Sequence, residues 1–586
     1  MTKANSLSRW LAAAMAALML LALLPARVWA AESTAYDTDG ATAFTFTDIA
    51  ITAKDGDYTG YNIDGTALTI EAAGTYIVSG SCQSGSITVK KGVTGVTLVL
   101  GGLTLTADGT AAIACNKSSG VTIVAKDGTT NILSDTETNN GDSYPDNTDA
   151  ENAVIKCKDG SQVTLCGSGS LTVNATGKNG IKSGATTDEE GEAWLVIRDL
   201  TLTISAPVND AINAEASLTI LSGDLTIDAG DDAVHSDYYL TVGAAGTDGP
   251  TITVNSCNEG LEAADLSIAG GNITIHAGDD CLNAANSDLT GYAFTLSISG
   301  GTLVMDTTSG DGIDSNGTLS ISGGTVVVWT NSTADNQPLD ADGTLSITGG
   351  TVLAAGSSAG MGITLSGDSQ PYVMFGSTGM GGMGGGRPGS IGGQPGGTGD
   401  STTPPQLPSG SDSSSDSRPT PPSGSDGSQP TPPDGDGGTT PPELPDGQTP
   451  DQDSSQPGGQ MPGQMDGQSG SVSISQGSTF TIQSSDGTAV YTGEAVYDAR
   501  FVFFSSAAMT SGETYTLTSS GTELATATAD GTGTAAVTTP DTSADTADTH
   551  QTSDSHAGLY IALGAVAVLG AAAAMVTVVL RKQKKA

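Results

Sequence analysis

Residues 210–242 read DAINAEASLTILSGDLTIDAGDDAVHSDYYLTV and contain one short pattern twice. Each copy begins with an aspartate, a small residue and an aliphatic residue, and ends in a Leu-Thr-Ile or Leu-Thr-Val strand. Between the copies, Gly223 and Asp224 open another alternating strand at Leu225. Alternation with period two is typical of a β-strand with one buried face. The stretch therefore predicts short strands separated by tight glycine corners.

The same pattern extends over residues 50–365. Its Leu-x-Ile or Leu-x-Val strand begins at Leu218, Leu240, Leu266, Leu296, Leu319 and Leu345. An aliphatic-polar-small triplet precedes these strands and also occurs earlier, beginning at Ile113, Ile155, Ile181, Ile212, Val234, Leu261, Leu282, Ile313 and Leu339. A repeat of 20 to 30 residues without helical segments predicts an all-β parallel β-helix, a solenoid in which each coil covers the aliphatic residues of the last. A β-propeller, whose blades need about 40 residues, and an array of β-sandwiches are the weaker alternatives.

Polar residues, most of them acidic or amide, occupy two fixed positions, one ahead of each triplet and one inside it. Two positions before the aliphatic residue stand Asp210, Asp232, Glu259, Asp280 and Asp311, and one position after it stand Asn213, His235, Glu262, Asn283, Asp314 and Asp340. Because neighbouring coils stack about 4.8 Å apart, carboxylates in one column repel each other unless a cation neutralises them.

The cation that suits such a column outside a cell is Ca²⁺, which binds six to eight oxygen ligands. We predict a row of Ca²⁺ sites with ligands from Asp210, Asp232, Glu259, Glu262, Asp280, Asp311 and Asp314, completed by Asp231, Asp279 and Asp237. The alternative is that these side chains only satisfy the turns of a solvated β-helix.

Composition excludes one broad class of function. The chain has 586 residues, with 20 Lys and Arg against 64 Asp and Glu, and a net charge of −44. A nucleic acid would be repelled by this field, and no basic stripe overrides it. Only 4% of residues are aromatic, which fits the narrow interior of a β-helix.

Both ends of the chain carry targeting signals. Residues 1–31 have the basic start, apolar run and small-residue cleavage site of a secretory signal peptide. Residues 557–580 are uncharged and long enough to cross a bilayer as one helix, and the basic residues of 581–586 follow at once. We therefore expect a single-pass protein of the cell membrane, with its ectodomain outside the cell at a bacterial surface and its basic tail in the cytoplasm.

Two low-complexity segments divide the ectodomain. Residues 376–470 are rich in Gly, Pro, Ser and Asp, and residues 536–556 form a Thr-, Ala- and Asp-rich stalk; such compositions predict disordered linkers. Residues 32–375 are interpreted as the β-helix. Residues 471–535 alternate again and are either a separate β-module or, the interpretation we favour, the segment that closes the β-helix after a long insertion.

Several stretches resemble a known family. LTIEAAGTYIVSGSCQSGSITV (68–89), the run 96–135, GSGSLTVNATGKNGIKS (167–183) and the later NDAIN, DDAVHSD and GDGIDS motifs are similar to the secreted bacterial carbohydrate-binding family typified by a clostridial cellulose- and pectin-binding surface protein. The resemblance implies a calcium-loaded, right-handed parallel β-helix, similar in shape to family-nine polysaccharide lyases. ARFVFFSSAAMTSGETYTL (499–517) looks like the family's closing segment. The family's Asp-Gly-Ile is often Asp-Ala or Asp-Cys here, which leaves the acid in place.

The expected partner is a polysaccharide, either cellulose-like or pectin-like, and no enzymatic activity is expected. Bound Ca²⁺ would accept uronate oxygens, and sugar rings would stack on aromatic side chains that we place on the outer surface, namely Trp329, Tyr238, Tyr239 and Tyr292. A lyase would need a lysine base, for which Lys156 and Lys182 are the candidates. A surface adhesin or spacer that binds protein is the third possibility, and a glycosidase carboxylate pair is not singled out.

The six cysteines allow up to three disulfides in a secreted chain. Cys115 and Cys157 share one position of the repeat, so they either form a bridge or stack as buried thiols. The absence of a Cys-x-x-Cys motif gives no support to a zinc site.

Overall fold

The computed structural model describes residues 36–331, 336–357, 363–366, 369–376, 469–470 and 472–531. All regular secondary structure in these ranges is β-strand, which confirms the all-β prediction. The chain divides into two compact units, residues 1–534 and 535–586, and every described residue belongs to the first.

Parallel strands wind through three sheets, and each strand pairs with its counterpart in the next coil. This pairing makes the repeat region a parallel β-helix, whose right-handed sense stays a prediction. The first sheet contains Ala67–Ile70, Ser86–Val89, Ile113–Cys115, Ala153–Cys157, Asn179–Ser183, Ile212–Ala214, the starts of Val234–Val242 and Leu261–Ile268, Leu282–Ala284 and Ile313–Ser315.

The other two sheets complete each coil. The second sheet contains the starts of Gly74–Cys82 and Val96–Ala107, then Gly120–Ala125, Gln162–Cys166, Trp194–Ile197, Ser217–Ile220, the ends of Val234–Val242 and Leu261–Ile268, Thr295–Ile298, Thr318–Ile321 and Leu345–Ile347. The third sheet contains the ends of Gly74–Cys82 and Val96–Ala107, Thr130–Asp135, Ser170–Asn174, Thr201–Ala206, Asp224–Ala229, Thr251–Cys257, Asn272–Ala277, Thr302–Thr307, Thr325–Thr330 and Thr351–Gly356. Thr42–Phe46 pairs with residues 76–80 and so extends the second sheet.

Aliphatic side chains form a continuous stack inside the coils. In the first sheet, Ile155 pairs in register with Ile113 on one side and with Ile181 on the other. The stack continues through Ile212 and Val234, and all of these side chains are fully buried. Because side chains alternate across a strand, this register points the residue after each aliphatic one toward the outside of the coil.

Glycines at the corner between the second and third sheets let successive coils approach closely. Gly301 and Gly324 have φ angles of 92° and 83°, in the left-handed region. A Cβ atom added to Gly324 would lie 2.7 Å from the carbonyl oxygen of Gly301 in the preceding coil. Glycine is required at this corner both for the backbone conformation and for the contact.

Non-coil elements cover both ends of the β-helix. At the start, Ile51–Lys54 pairs antiparallel with Thr42–Phe46, and Tyr61–Asp64 pairs with Ala67–Ile70. At the other end, Phe501–Ser506 pairs antiparallel with both Thr351–Gly356 and Tyr372–Phe375. A separate antiparallel sheet, which we call the cap sheet, contains Ser469–Gly470, Thr522–Thr528, Thr514–Ser519, Thr479–Gln483 and Ala489–Glu494.

The cap sheet buries the side chain of Trp329. This side chain has the outward parity expected from the sequence, because Val326 and Val328 face the interior. However, it is only 1% exposed, and its ring packs against Phe480 of the cap sheet at 5.8 Å between centroids. The expectation that Trp329 is an exposed sugar-binding side chain is therefore wrong, since the cap sheet covers the outer face at this coil.

Four of the segments interpreted from the sequence lie wholly or almost wholly outside the described residues. They are the signal peptide 1–31, the insertion 376–470, the stalk 536–556 and the membrane helix 557–580 with its tail 581–586. Within the described part of the chain, no helix has the length and apolar character that a membrane span needs.

We expect Trp329→Ala to lower the free energy of unfolding by about 3–5 kcal/mol, because it leaves a cavity between the last coils and the cap sheet. Denaturant unfolding followed by circular dichroism measures the change. Thr302→Ala, on an exposed position of the third sheet, is the control and should change stability by less than about 0.5 kcal/mol. Equal stability of Trp329→Ala and the wild type would show that the cap sheet contributes little.

Candidate functional site

The outward positions of the first sheet form one column of polar side chains, which we call the outward column. In register from coil to coil it contains Lys156, Lys182, Asn213, His235, Glu262, Asn283 and Asp314. Asp340 follows in the next coil, where its backbone N–H donates to the carbonyl of Ile313. The column thus changes from basic at one end to acidic at the other.

His235 lies in the middle of the outward column and contacts three carboxylates. Its Nδ1 lies 3.1 Å from Asp232 Oδ2 and 2.9 Å from Glu262 Oε2, and its Nε2 lies 3.0 Å from Asp237 Oδ1. Burial lowers the pKa of His235, but the three hydrogen bonds outweigh burial and raise the pKa to about 12. The side chain is therefore an imidazolium at neutral pH, and it neutralises part of this acidic coil.

A second acidic cluster lies at the end of the outward column. Carboxylate oxygens of Asp311, Asp314 and Asp340 lie within 4.8 Å of one another. Burial, with repulsion from neighbouring carboxylates, raises the pKa of Asp311 to about 7 and that of Asp314 to about 6. Burial likewise raises the pKa of Asp280, in the preceding coil, to about 8. No Lys, Arg or His side chain among the described residues forms an ion pair with these four aspartates.

The acids that precede the aliphatic residues also have a structural role. Asp280 Oδ1 accepts a hydrogen bond of 2.6 Å from the backbone N–H of Asp311, and Asp210 Oδ1 accepts one of 3.3 Å from the N–H of Asp232. Asp311 Oδ1 accepts from the N–H of Gln337 in the next coil. Glu259 instead accepts from the Asn283 side chain at 3.0 Å. These hydrogen bonds are compatible with cation binding at Asp280, Asp311 and Glu259, because each of these carboxylates has a second oxygen. Both oxygens of Asp210 accept hydrogen bonds, the second from the Asn213 side chain at 2.6 Å.

The predicted calcium ligands fall into separate groups. Asp311 and Asp314 belong to one cluster, together with Asp340, which the sequence placed in the column but not among the ligands. Asp232 and Glu262 belong to the cluster around His235. Within the described ranges, the remaining predicted ligands join neither cluster; they are Asp210, Asp231, Asp237, Glu259, Asp279 and Asp280.

Three of the four aromatic residues proposed as sugar contacts lie near one another. Tyr238 and Tyr239 are 38% and 52% exposed, and their ring centroids are 6.2 Å apart. The Tyr292 hydroxyl donates a hydrogen bond of 2.6 Å to Asp265. Trp194 lies on the same sheet as Tyr239, two coils earlier. Sequence reasoning did not assign Trp194 to a site, although its outward parity beside the buried Leu195 is a signal that could have done so.

All six cysteines are free thiols, and all lie within the described ranges. Cys115 and Cys157 pair in register and are fully buried, as buried stacked thiols would be. The hydrogen bond with Cys157, together with burial, raises the pKa of Cys115 well above its usual range. These residues therefore act as small core side chains in this structure.

The geometry describes a parallel β-helix with an outward polar column that ends in clustered carboxylates. The family model of carbohydrate-binding domain-containing proteins matches residues 64–360, just over half of the chain. The chain belongs to this family, which confirms the resemblance found in the sequence.

Among solved structures, a polysaccharide lyase-like protein from C. thermocellum, studied as a gadolinium derivative, is similar to this chain. The match covers 52% of this chain and 96% of that chain, with 22% identity and a TM-score of 0.31. No curated protein matches this chain.

We expect the metal-free protein to become more stable as the pH falls from about 8 to about 5. The raised pKa values of Asp280, Asp311 and Asp314 mean that the folded state takes up protons over this range, whereas unfolded aspartate does so near pH 3.9. The raised pKa of His235 acts in the same direction. The protonated side chain stabilises the folded state, and this stabilisation declines as the pH rises above about 6.5, where unfolded histidine loses its proton.

Thermal unfolding in the presence of a chelator measures this dependence. Asp280→Asn keeps the acceptor for the Asp311 N–H and should raise the melting temperature at pH 8 more than at pH 5. Asp224→Asn, on an exposed position of the third sheet, should leave the profile unchanged. A melting temperature that falls with acidification over this range would contradict the expectation.

We expect His235→Ala to destabilise the protein by about 3 kcal/mol at pH 7, since it leaves buried carboxylates without their cation. His276→Ala is the matched control, because its side chain is 54% exposed and contacts only Asp306 among the recorded ion pairs. Its effect should stay below about 1 kcal/mol. Urea unfolding at pH 7 measures both values, and equal effects would show that His235 is not needed to neutralise this coil.

Proposed function

We propose that this protein binds polysaccharide outside a bacterial cell, through Ca²⁺ held at the acidic end of the outward column. The observation that carries the proposal is the cluster of Asp311, Asp314 and Asp340, whose carboxylate oxygens lie within 4.8 Å of one another. Membership of the carbohydrate-binding family supports the ligand class. Ca²⁺ is the hard divalent cation that suits such an all-oxygen donor set in the extracellular medium.

The cation gives an acidic protein a way to bind an acidic glycan. Three aspartates supply only part of the six to eight oxygens that Ca²⁺ takes, so positions remain for water and for uronate oxygens of a pectin-like chain. Asp280, one coil earlier, places a further carboxyl group beside the cluster. At the coil of Asp232 and Glu262 the imidazolium of His235 already supplies a positive charge, so we propose the cation first at Asp311, Asp314 and Asp340.

The proposed location rests on sequence alone. The signal peptide at 1–31 and the apolar segment at 557–580 support a single-pass protein whose ectodomain lies outside the cell membrane. On this interpretation the β-helix meets polysaccharide at the cell surface.

A lyase is the second candidate function because the pKa of one lysine, Lys156, is lowered. Burial, with repulsion from Lys182, lowers the pKa of Lys156, as a catalytic base requires. However, Lys156 and Asp314 are six coils apart in the outward column, which corresponds to about 29 Å at 4.8 Å per coil. A base and a cation that act on one uronate residue must both contact it, so this spacing favours binding over lyase chemistry.

Calcium binding is tested by isothermal titration of the chelator-treated protein, followed by pull-down with polygalacturonate. We expect Ca²⁺ to raise the melting temperature and to be required for binding of the polymer. Asp311→Asn combined with Asp314→Asn should weaken Ca²⁺ binding at least tenfold and remove the pull-down, whereas Asp224→Asn should preserve both. A melting curve that neither Ca²⁺ nor a chelator changes would contradict the calcium proposal.

The alternatives give different outcomes. Incubation with polygalacturonate and Ca²⁺ should produce no increase in ultraviolet absorbance from unsaturated product, and a steady increase that Lys156→Ala abolishes would establish a lyase instead. A glycan array without hits, together with binding to a surface protein, would favour the adhesin.

A further inference from the structure

A groove of about 740 Å³ lies over the second sheet, beside the middle of the outward column. Its lining includes three aromatic side chains, three carboxylates and several small residues. The residues that matter here are Trp194, Glu215, Ser217, Asp237, Tyr238 and Tyr239. None of them belongs to the Asp311 cluster proposed to hold Ca²⁺.

The repeat itself builds the walls. Ser217 pairs in register with Tyr239 of the next coil, and Trp194 occupies the same position one coil earlier. Trp194 and Tyr239 are therefore separated by two coil steps, or about 9.6 Å along the axis. Because the residue between them is a serine, the surface has a slot with an aromatic side chain at each end. Two coil steps leave room for a sugar ring between the two aromatic side chains.

The negative charge of the groove favours neutral sugars over uronates. Glu192, Glu215 and Asp237 line it, and no Lys or Arg is among the described residues that do so. Lys182 forms an ion pair with Glu215 at 3.0 Å but does not line the groove. A uronate would meet these carboxylates without a basic side chain on the groove lining to bind it, whereas the hydroxyl groups of a neutral sugar can donate hydrogen bonds to them.

Hydrogen bonds and ion pairs hold the walls in place. Asp237 contacts His235 Nε2 at 3.0 Å, and Glu215 contacts Lys182, so two of the three acids of the groove are fixed by residues of the outward column. Tyr292 lies against the Tyr239 hydroxyl, and its own hydroxyl donates to Asp265. A site whose side chains are already ordered loses little conformational entropy when it binds a ligand.

We propose that this groove is a second subsite, which binds a neutral segment of a glycan by stacking on Trp194 and Tyr239 and by hydrogen bonds to Glu215 and Asp237. The proposal rests on the proposed function, because it assigns a second part of the same polysaccharide-binding surface. It separates the two ligand chemistries: uronate with Ca²⁺ at the acidic end of the column, and neutral sugar in the groove.

Tryptophan fluorescence provides a local readout. Trp10 and Trp29 lie in the signal peptide, and Trp329 is buried beneath the cap sheet, so Trp194 is the accessible tryptophan of the described residues. Quenching of the wild-type chain by acrylamide, which is neutral, compared with quenching of Trp194→Phe, isolates the signal of Trp194. The probes are neutral hexasaccharides of glucose, xylose and mannose, each β-1,4-linked, and an oligogalacturonide without Ca²⁺.

We expect at least one neutral hexasaccharide to reduce quenching of Trp194 by about half, and the oligogalacturonide to leave it unchanged. Tyr239→Ala should weaken this binding about tenfold, while Tyr239→Phe should retain most of it because the ring remains. Tyr144→Ala is the matched control, since Tyr144 is 37% exposed and lies outside the groove. Tyr239 is 52% exposed, so its replacement should leave the melting temperature within about 1 °C of wild type.

The outcomes distinguish this proposal from the calcium proposal. If neutral sugars protect Trp194 in the Asp311→Asn and Asp314→Asn double variant, which has lost Ca²⁺-dependent binding of polygalacturonate, the two subsites are separate and the groove is supported. If polygalacturonate binds with Ca²⁺ but no neutral sugar protects Trp194, the groove proposal alone is overturned. The groove is also overturned if Tyr239→Ala binds neutral sugar normally, or if the oligogalacturonide protects Trp194 without Ca²⁺. Failure to bind any glycan overturns both proposals.

Discussion

Each coil of this protein stacks its aliphatic side chains on the residues at the equivalent positions of the preceding coil. The outward column and the groove both depend on this register. Ile155 lies between Ile113 and Ile181, all fully buried, and their alignment leaves no freedom for a one-residue slip. A slip would place a polar residue in the interior and an aliphatic one in water. The hydrophobic stack therefore fixes which side chains point outward, as well as holding the coils together.

The charge distribution follows from that alignment. Side chains one position after the buried residue form the outward column, which begins with Lys156 and Lys182 and ends with Asp314 and Asp340. Stacking at about 4.8 Å brings like charges together, and the protein responds differently along the column. An imidazolium neutralises the middle coil at His235, whereas at the acidic end burial, with repulsion from neighbouring carboxylates, raises the pKa values of Asp311 and Asp314.

Sequence reasoning succeeded for structural features that follow from the repeat and failed for those that depend on elements from other parts of the chain. The period, the buried residues and the two acidic positions could all be read from spacing. Trp329 has the correct outward parity, but the cap sheet, more than a hundred residues later in the chain, covers it through Phe480. Trp194 was missed for a related reason: its significance arises from Ser217 and Tyr239 in the following coils, whose alignment depends on loops of unequal length.

By itself, the amino-acid sequence determined the β-helix, its interior and the identity of the acidic column, because period-two alternation and a constant position within each repeat leave one way to bury the aliphatic residues. Only the tertiary structure decided which of the many acids meet. Asp311, Asp314 and Asp340 converge, whereas Asp231 and Asp279 do not join them. The reason is that carboxylate distances of a few ångströms depend on rotamers, backbone hydrogen bonds between coils and the path of each loop, none of which the periodicity of the sequence specifies.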